Sequence, residues 1–163
     1  MHKAHNQFKK NQIVVGVDGS PAAINALKWA TALTERMGST LKIVTTWDGT
    51  FVAIGLAAFG GVDPDTDSIE TRQLVANEIQ IKTLLGVFGN EPLPDWITTE
   101  IVQGKPAEAL IKASQNADLL VLGTRGHGQM VELVLGSVSA ECVLHARCQT
   151  NRNESTVPGS NDF

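Results

Sequence analysis

The sequence has no tyrosine and only two cysteines, Cys142 and Cys148, in 163 residues. Two thiols that form no CxxC pair give neither a disulfide framework nor a cysteine-rich metal site. A chain so poor in cysteine fits a reducing, cytoplasmic setting. Long apolar runs are also missing. None approaches the roughly 18 residues that cross a bilayer, and the polar, basic start leads into no signal-peptide core, so no membrane partner is expected. An excess of positive charge is absent as well: 13 Lys and Arg stand against 17 Asp and Glu, for a net charge of −4. Non-specific nucleic-acid binding depends on neutralising phosphates and is therefore not expected. At 42% hydrophobic and 18% charged residues the chain is too apolar for a disordered protein and has the balance of one globular domain. The mild excess is in glycine, with 15 residues.

Residues 1–11 are polar and read as an N-terminal arm. Ile13, Val14, Val15 and Val17 then form a β-branched run, the pattern of a strand buried on both faces. Ser20-Pro21 opens a helix as N-cap and first residue. Ala23, Leu27, Ala30, Leu33 and Met37 lie on one stripe of it, and Gly38 suits its end. A second strand spans 40–47, and strand, helix, strand at this spacing predicts a parallel sheet. Residues 48–67 mix apolar residues with Gly and Pro and read as a long loop. A helix is expected over 68–86 with Leu74, Val75, Ile81 and Leu85 as its apolar face. A strand over 96–102, a helix after Pro106, a strand over 119–123 and a helix from Ser137 to about His145 follow. The alternation predicts a doubly wound α/β sandwich. Trp29, Trp47 and Trp96 read as packing residues, with Trp47 also placed to shield a ligand ring. Cys142 reads as a small buried apolar residue.

Four glycines fall within 123–136, between a buried strand and a helix. In doubly wound sheets ligands bind at the carboxyl ends of strands. Glycines there let backbone N–H groups approach an anion, and a helix N-terminus adds its dipole. Ser137 and Ser139 carry hydroxyls that can donate to phosphate oxygens. The alternative is a plain surface turn with a helix cap. Neither a Walker A run nor GxGxxG is present. Asp18, at the end of the first strand, has two readings: a ligand for ribose, adenine or a phosphate-bound metal, or an Asp that closes its own turn. Arg125 and His127 either pair with phosphate or face solvent.

The spacing Gly123-x2-Gly126-x9-Gly136-Ser137 resembles the nucleotide-binding signature of the universal stress protein family, G-x2-G-x9-G-S/T. The opening IVVGVDGSPAAINALKWA, the strand LKIVTTW and the run GKPAEALIKASQNADLLVLG match the same family at the right offsets, so that the likeness covers roughly residues 11–148. The resemblance implies an adenine nucleotide alpha hydrolase-like fold, with the α/β domain at 12–148 and a polar tail at 149–163. It also implies a cytoplasmic, usually homodimeric protein of the ATP-binding branch, taking ATP or related ADP, AMP or cyclic AMP, with Mg2+ accompanying the phosphates. Carried over by position, Gly126, Gly136, Ser137 and Ser139 hold the phosphates, Val138 belongs to the same nucleotide site, and Asp18 faces the adenosine. Gly16 lies at the same strand end, Thr46 offers backbone groups to adenine, and Leu122 and Gly123 line the nucleoside.

The sequence departs from the family after HARC, where the polar run QTNRNESTVPGSNDF replaces an apolar fifth strand. The expectation is a sheet whose fifth strand is missing or altered, an apolar edge at residues 119–122, and a homodimer with an altered interface. No Ser-His-Asp set and no paired acid/base carboxylates are evident, which favours binding in stress response or signalling with little catalysis. The alternatives are a slow ATPase or nucleotide hydrolase that uses a divalent metal, and an interaction module with a vestigial site.

Overall fold

The structure is a computed structural model that describes residues 11–48, 68–124 and 135–153, the last five through their backbone. Nine elements alternate along it. They are β1 (Gln12–Gly16), α1 (Pro21–Met37), β2 (Thr40–Trp47), α2 (Ile69–Phe88), β3 (Ile97–Gln103), α3 (Pro106–Ala113), β4 (Leu119–Gly123), α4 (Ser137–His145) and β5 (Gln149–Asn153). The strands form one parallel sheet in the order β3-β2-β1-β4-β5.

Alternation along the central strands splits the core in two. Ile13, Val15 and Val17 of β1 and its exit, with Ile43 and Val121, face α1 and α2. Val14, Val44, Leu120 and Leu122 face α3 and α4, where Ala107, Leu110 and Cys142 complete a second cluster. Both faces of β1 and β4 are thus covered, which is why their sequences read as unbroken apolar runs.

Helix α1 forms as its sequence dictates. The Ser20 hydroxyl accepts from the Ala23 N–H at 3.2 Å, and Pro21 occupies the first turn. Gly38 ends the helix at φ 60°, a left-handed conformation that glycine adopts without strain. Ala23, Leu27 and Ala30 are buried and Leu33 packs against them, whereas Met37 is exposed. The stripe therefore ends at Leu33, and in the last turn Thr34 is the buried residue. Trp47 is buried, and Trp29 and Trp96 pack against the α1 core. At the start of α2 the Ser68 hydroxyl accepts from the Thr71 N–H. A backbone N–H and the Ser68 hydroxyl hold the Glu70 carboxyl below the usual carboxylate range.

Two further expectations fail. Helix α2 does not bury Leu74, Ile81 and Leu85: all three are exposed, and Val75 is half-buried. Its inward residues are Ala76, Ile79, Gln80 and Thr83. The helix lies close to the sheet, where small and hydrogen-bonded side chains fit. The Gln80 Nε2 donates to the Thr45 hydroxyl and to the Glu100 carbonyl, each at 3.1 Å. The sequence is apolar on both sides of this helix, so periodicity alone selects the wrong one.

The second failure is the open apolar edge: β4 is not an edge, and the fifth strand is altered rather than missing. Residues 149–153 pair in parallel with β4, from Leu119↔Gln149 to Gly123↔Asn153. The strand is altered in composition, since QTNRN has no apolar residue. An apolar run is required only of a strand covered on both faces. An edge strand can be polar and still satisfy its neighbour's backbone groups.

Both cysteines are free thiols. Burial, then the nearby Glu141 and Cys148, push the Cys142 thiol up to about 11. At neutral pH it stays protonated and unreactive. Limited alkylation with iodoacetamide, read by peptide mass spectrometry, is expected to label the half-buried Cys148 first and to reach Cys142 only on unfolding. Replacing Gln80 by Leu leaves the Thr45 hydroxyl and the Glu100 carbonyl without this donor. The expected cost is about 1–3 kcal/mol in urea unfolding.

Candidate functional site

The strand order puts a switch point between β1 and β4. The chain leaves β1 through α1 to reach β2 on one side, and returns from β3 through α3 to β4 on the other. Connections that depart in opposite directions leave a crevice at the carboxyl ends of the two strands. The N-termini of α1 and α4 meet this edge.

Residues expected at the site divide by face. Gly16, Thr46 and Leu122 share the side of Val14, Val44 and Leu120, with α3 and α4 above them. Thr46 lies beyond the last β1–β2 pair, Gly16↔Val44, so Thr45–Trp47 run alongside β3 only. Thr46 is buried on this stretch, and its neighbour Thr45 turns to Gln80 on the opposite face. Gly16 has a packing role: an added Cβ would come within 2.7 Å of Leu122 and 2.9 Å of Leu110. The Leu122 side chain is part of that cluster. Gly123 points to the other face, where a Cβ would meet Ala22 and Ala23 backbone atoms at 2.8 and 2.9 Å. Glycine there is what lets α1 approach the end of β4.

One Asp18 carboxylate oxygen accepts from the Ser20 N–H at 2.9 Å. The turn-closing reading of Asp18 therefore holds for that atom, and the residue is half-buried at the β1 exit.

The start of α4 is fixed to the end of β4 by two bonds. The Gly136 N–H donates to the Thr124 carbonyl at 3.0 Å, and the Ser139 hydroxyl donates to the Gly123 carbonyl at 2.7 Å. Ser139 is buried, and its proton is committed to the backbone. Ser137 is exposed, and Val138 packs partly into the core below. Gly136 caps α4 with no side-chain hydrogen bond, and the first intrahelical bond is from the Ala140 N–H to the Gly136 carbonyl. Among the described residues no side chain caps the leading N–H groups of α4, an arrangement suited to an anion.

Arg125, Gly126 and His127 lie outside the described residues. Among the described residues, no group of three His, Cys, Asp or Glu side chains is placed to hold a metal ion. Nor is any helix among them long and apolar enough to cross a membrane. The contribution that sequence reasoning missed is structural. Gly16 and Gly123 serve packing, and Ser139 serves as a tie. For the two glycines, the alternation of faces followed through the strands would have shown it.

The profile of the Universal stress protein family matches residues 10–150. A universal stress protein of Mycobacterium tuberculosis is 32% identical over 143 residues, 82% of this chain and 45% of that protein. The chain thus spans a little under half the length of this relative. One from Thermus aquaticus is 31% identical over 138 residues, covering 83% of this chain and 93% of that protein. Among solved structures, a universal stress protein in complex with cAMP has the same fold. It aligns at a TM-score of 0.64 with 19% identity, over 91% of this chain and 99% of that one. Profile, relatives and fold agree, and the chain belongs to the universal stress protein family.

Proposed function

We propose that this chain is a cytoplasmic stress-response or signalling protein that binds ATP or a related adenine nucleotide as a homodimer, with little or no catalysis. The observation that carries the reading is the α4 N-terminus: uncapped by any described side chain, opened by exposed Ser137, and set at the switch point of the sheet. The signature spacing from Gly123 to Ser137 supports it, as does the cAMP bound by a protein of the same fold.

In this reading the phosphates meet the N–H groups of Ser137 and Val138 and the Ser137 hydroxyl. Gly126, Arg125 and His127 complete the phosphate side, and Ser139 positions the helix through Gly123. The nucleoside lies over Gly16, Leu122 and Gly123, with Thr46 offering backbone groups to the base and Asp18 at the ribose. ADP, AMP and cyclic AMP present the same chemistry with fewer charges. A divalent cation such as Mg2+ would come with the phosphates, with Asp18 the protein group nearest in kind.

Mass spectrometry of the small molecules released from the purified protein is expected to show an intact adenine nucleotide. Steady turnover of ATP with magnesium, lost in Asp18→Asn, would instead identify a hydrolase. No nucleotide binding by calorimetry would leave an interaction module. Ser137→Ala removes one charge-assisted hydrogen bond, about 1.5–3 kcal/mol, which is a roughly ten- to hundredfold loss of affinity. Gly126→Val and Gly136→Val are expected to abolish binding while circular dichroism stays native. Full-affinity binding by both would mean that the phosphates sit elsewhere.

A further inference from the structure

Among the described residues, every buried polar side chain is a serine or threonine except Gln80, which is 6% exposed. A buried amide costs desolvation unless it is hydrogen-bonded, so its partners show what it holds. The Glu100 carbonyl can only accept, which turns the nitrogen end of the amide toward it. The same nitrogen donates to the Thr45 hydroxyl, and both bonds are 3.1 Å. These two acceptors belong to one step of the sheet. The β2–β3 ladder runs from the Leu41 N–H on the Trp96 carbonyl to the Gly104 N–H on the Trp47 carbonyl. By that register the Thr45 N–H is set against the Glu100 carbonyl. Gln80 therefore clamps β2 to β3 at the step just before Thr46. The Glu100 carboxylate also pairs with Lys42 of β2.

On the other edge of β2, the ladder to β1 ends with the Val17 N–H on the Val44 carbonyl at 2.9 Å. Backbone groups alternate in direction along a strand. Those of Thr45 turn to β3, and those of Thr46 turn back to the β1 side, one step past that last bond. Helix α2 braces the neighbouring wall as well. A Cβ on Gly19 would come within 3.2 Å of the Ile79 Cγ2. Ile79 and Gln80, adjacent on α2, thus support the turn that carries Asp18 and the end of β2 together.

We propose that Gln80, given the adenine-nucleotide reading above, is a positioning residue that sets the selectivity for the base. From the opposite face of the sheet its amide fixes Thr45, and through it the direction of the Thr46 N–H and carbonyl. Adenine sets an acceptor ring nitrogen beside a donor amino group, and guanine reverses both. A backbone edge of one donor and one acceptor separates the two bases only while its direction is held. Gln80 touches no nucleotide and acts through Thr45.

Equilibrium dialysis of the full chain with ATP and with GTP measures this selectivity. The wild type is expected to favour ATP. Gln80→Met keeps the side-chain size and removes both donors. It should lower ATP affinity about tenfold, the worth of one hydrogen bond, and leave GTP affinity unchanged. Ser137→Ala should weaken both nucleotides alike, because it acts on the phosphates. Thr45→Val removes one of the two bonds and should lower the preference for ATP in the same direction. It carries the test where Gln80→Met lacks a native circular dichroism spectrum. A wild type that binds neither nucleotide overturns the nucleotide reading and the role of Gln80 together. A wild type that binds ATP, with a preference that the folded variants retain, leaves nucleotide binding standing and overturns the role of Gln80. Equal binding of ATP and GTP by the wild type overturns that role too. So does an equal loss of both nucleotides in the variants, which is what a merely structural amide would give.

Discussion

Two hydrogen bonds, Gly136 to Thr124 and Ser139 to Gly123, fix where the α4 N-terminus stands relative to the sheet. Everything proposed for the carboxyl edge depends on them. A helix terminus attracts an anion only over its first turn, so its value as a site depends on being held at the crevice. Both bonds use carbonyls at the end of β4, a strand buried on both faces and paired on both edges. The rigidity of the core strand is thereby passed to a surface helix. The roles separate cleanly: Ser139 secures the helix from below, and Ser137 is left exposed above.

The glycines divide along the same line. Gly16 keeps Leu110 and Leu122 in contact across β1, and Gly123 admits the backbone of α1. Both lie within the region that the family signature and the opening strand mark out, and neither needs a ligand to account for it. Gly136 acts differently, because it starts a helix without supplying a side-chain oxygen to its N–H groups. A Ser, Asp or Asn there would cap the helix internally and compete with any bound anion.

Most of the fold was legible because its signals are local. Ser20-Pro21 and Gly38 mark both ends of α1, and the apolar runs of β1 and β4 are long enough to identify strands buried on two faces. The errors arose where local pattern does not determine environment. Leu74, Ile81 and Leu85 form as good an apolar stripe as the true inner face, and only the closeness of α2 to the sheet explains why Ala76, Thr83 and hydrogen-bonded Gln80 go inward. Residues 149–153 carry no apolar pattern at all, because the backbone ladder to β4 asks nothing of their side chains. At the site, the position of Asp18 and the start of α4 could be read from sequence. The tie made by Ser139 could not, because it joins residues brought together only by the strand–helix turn.

A strand specified by its backbone has a further consequence. In most strands the pattern of buried side chains sets the register, since a slip of one residue turns the wrong side chains inward. QTNRN offers no such reference. Its alignment with β4 must come from what precedes it: the end of α4 at His145 and the short connector in which Ala146 and Cys148 pack against the core. The strand is tethered rather than templated. Its sequence is free to vary so long as the connector keeps its length and its two anchors, whereas a single residue inserted between them would move the whole ladder by one step.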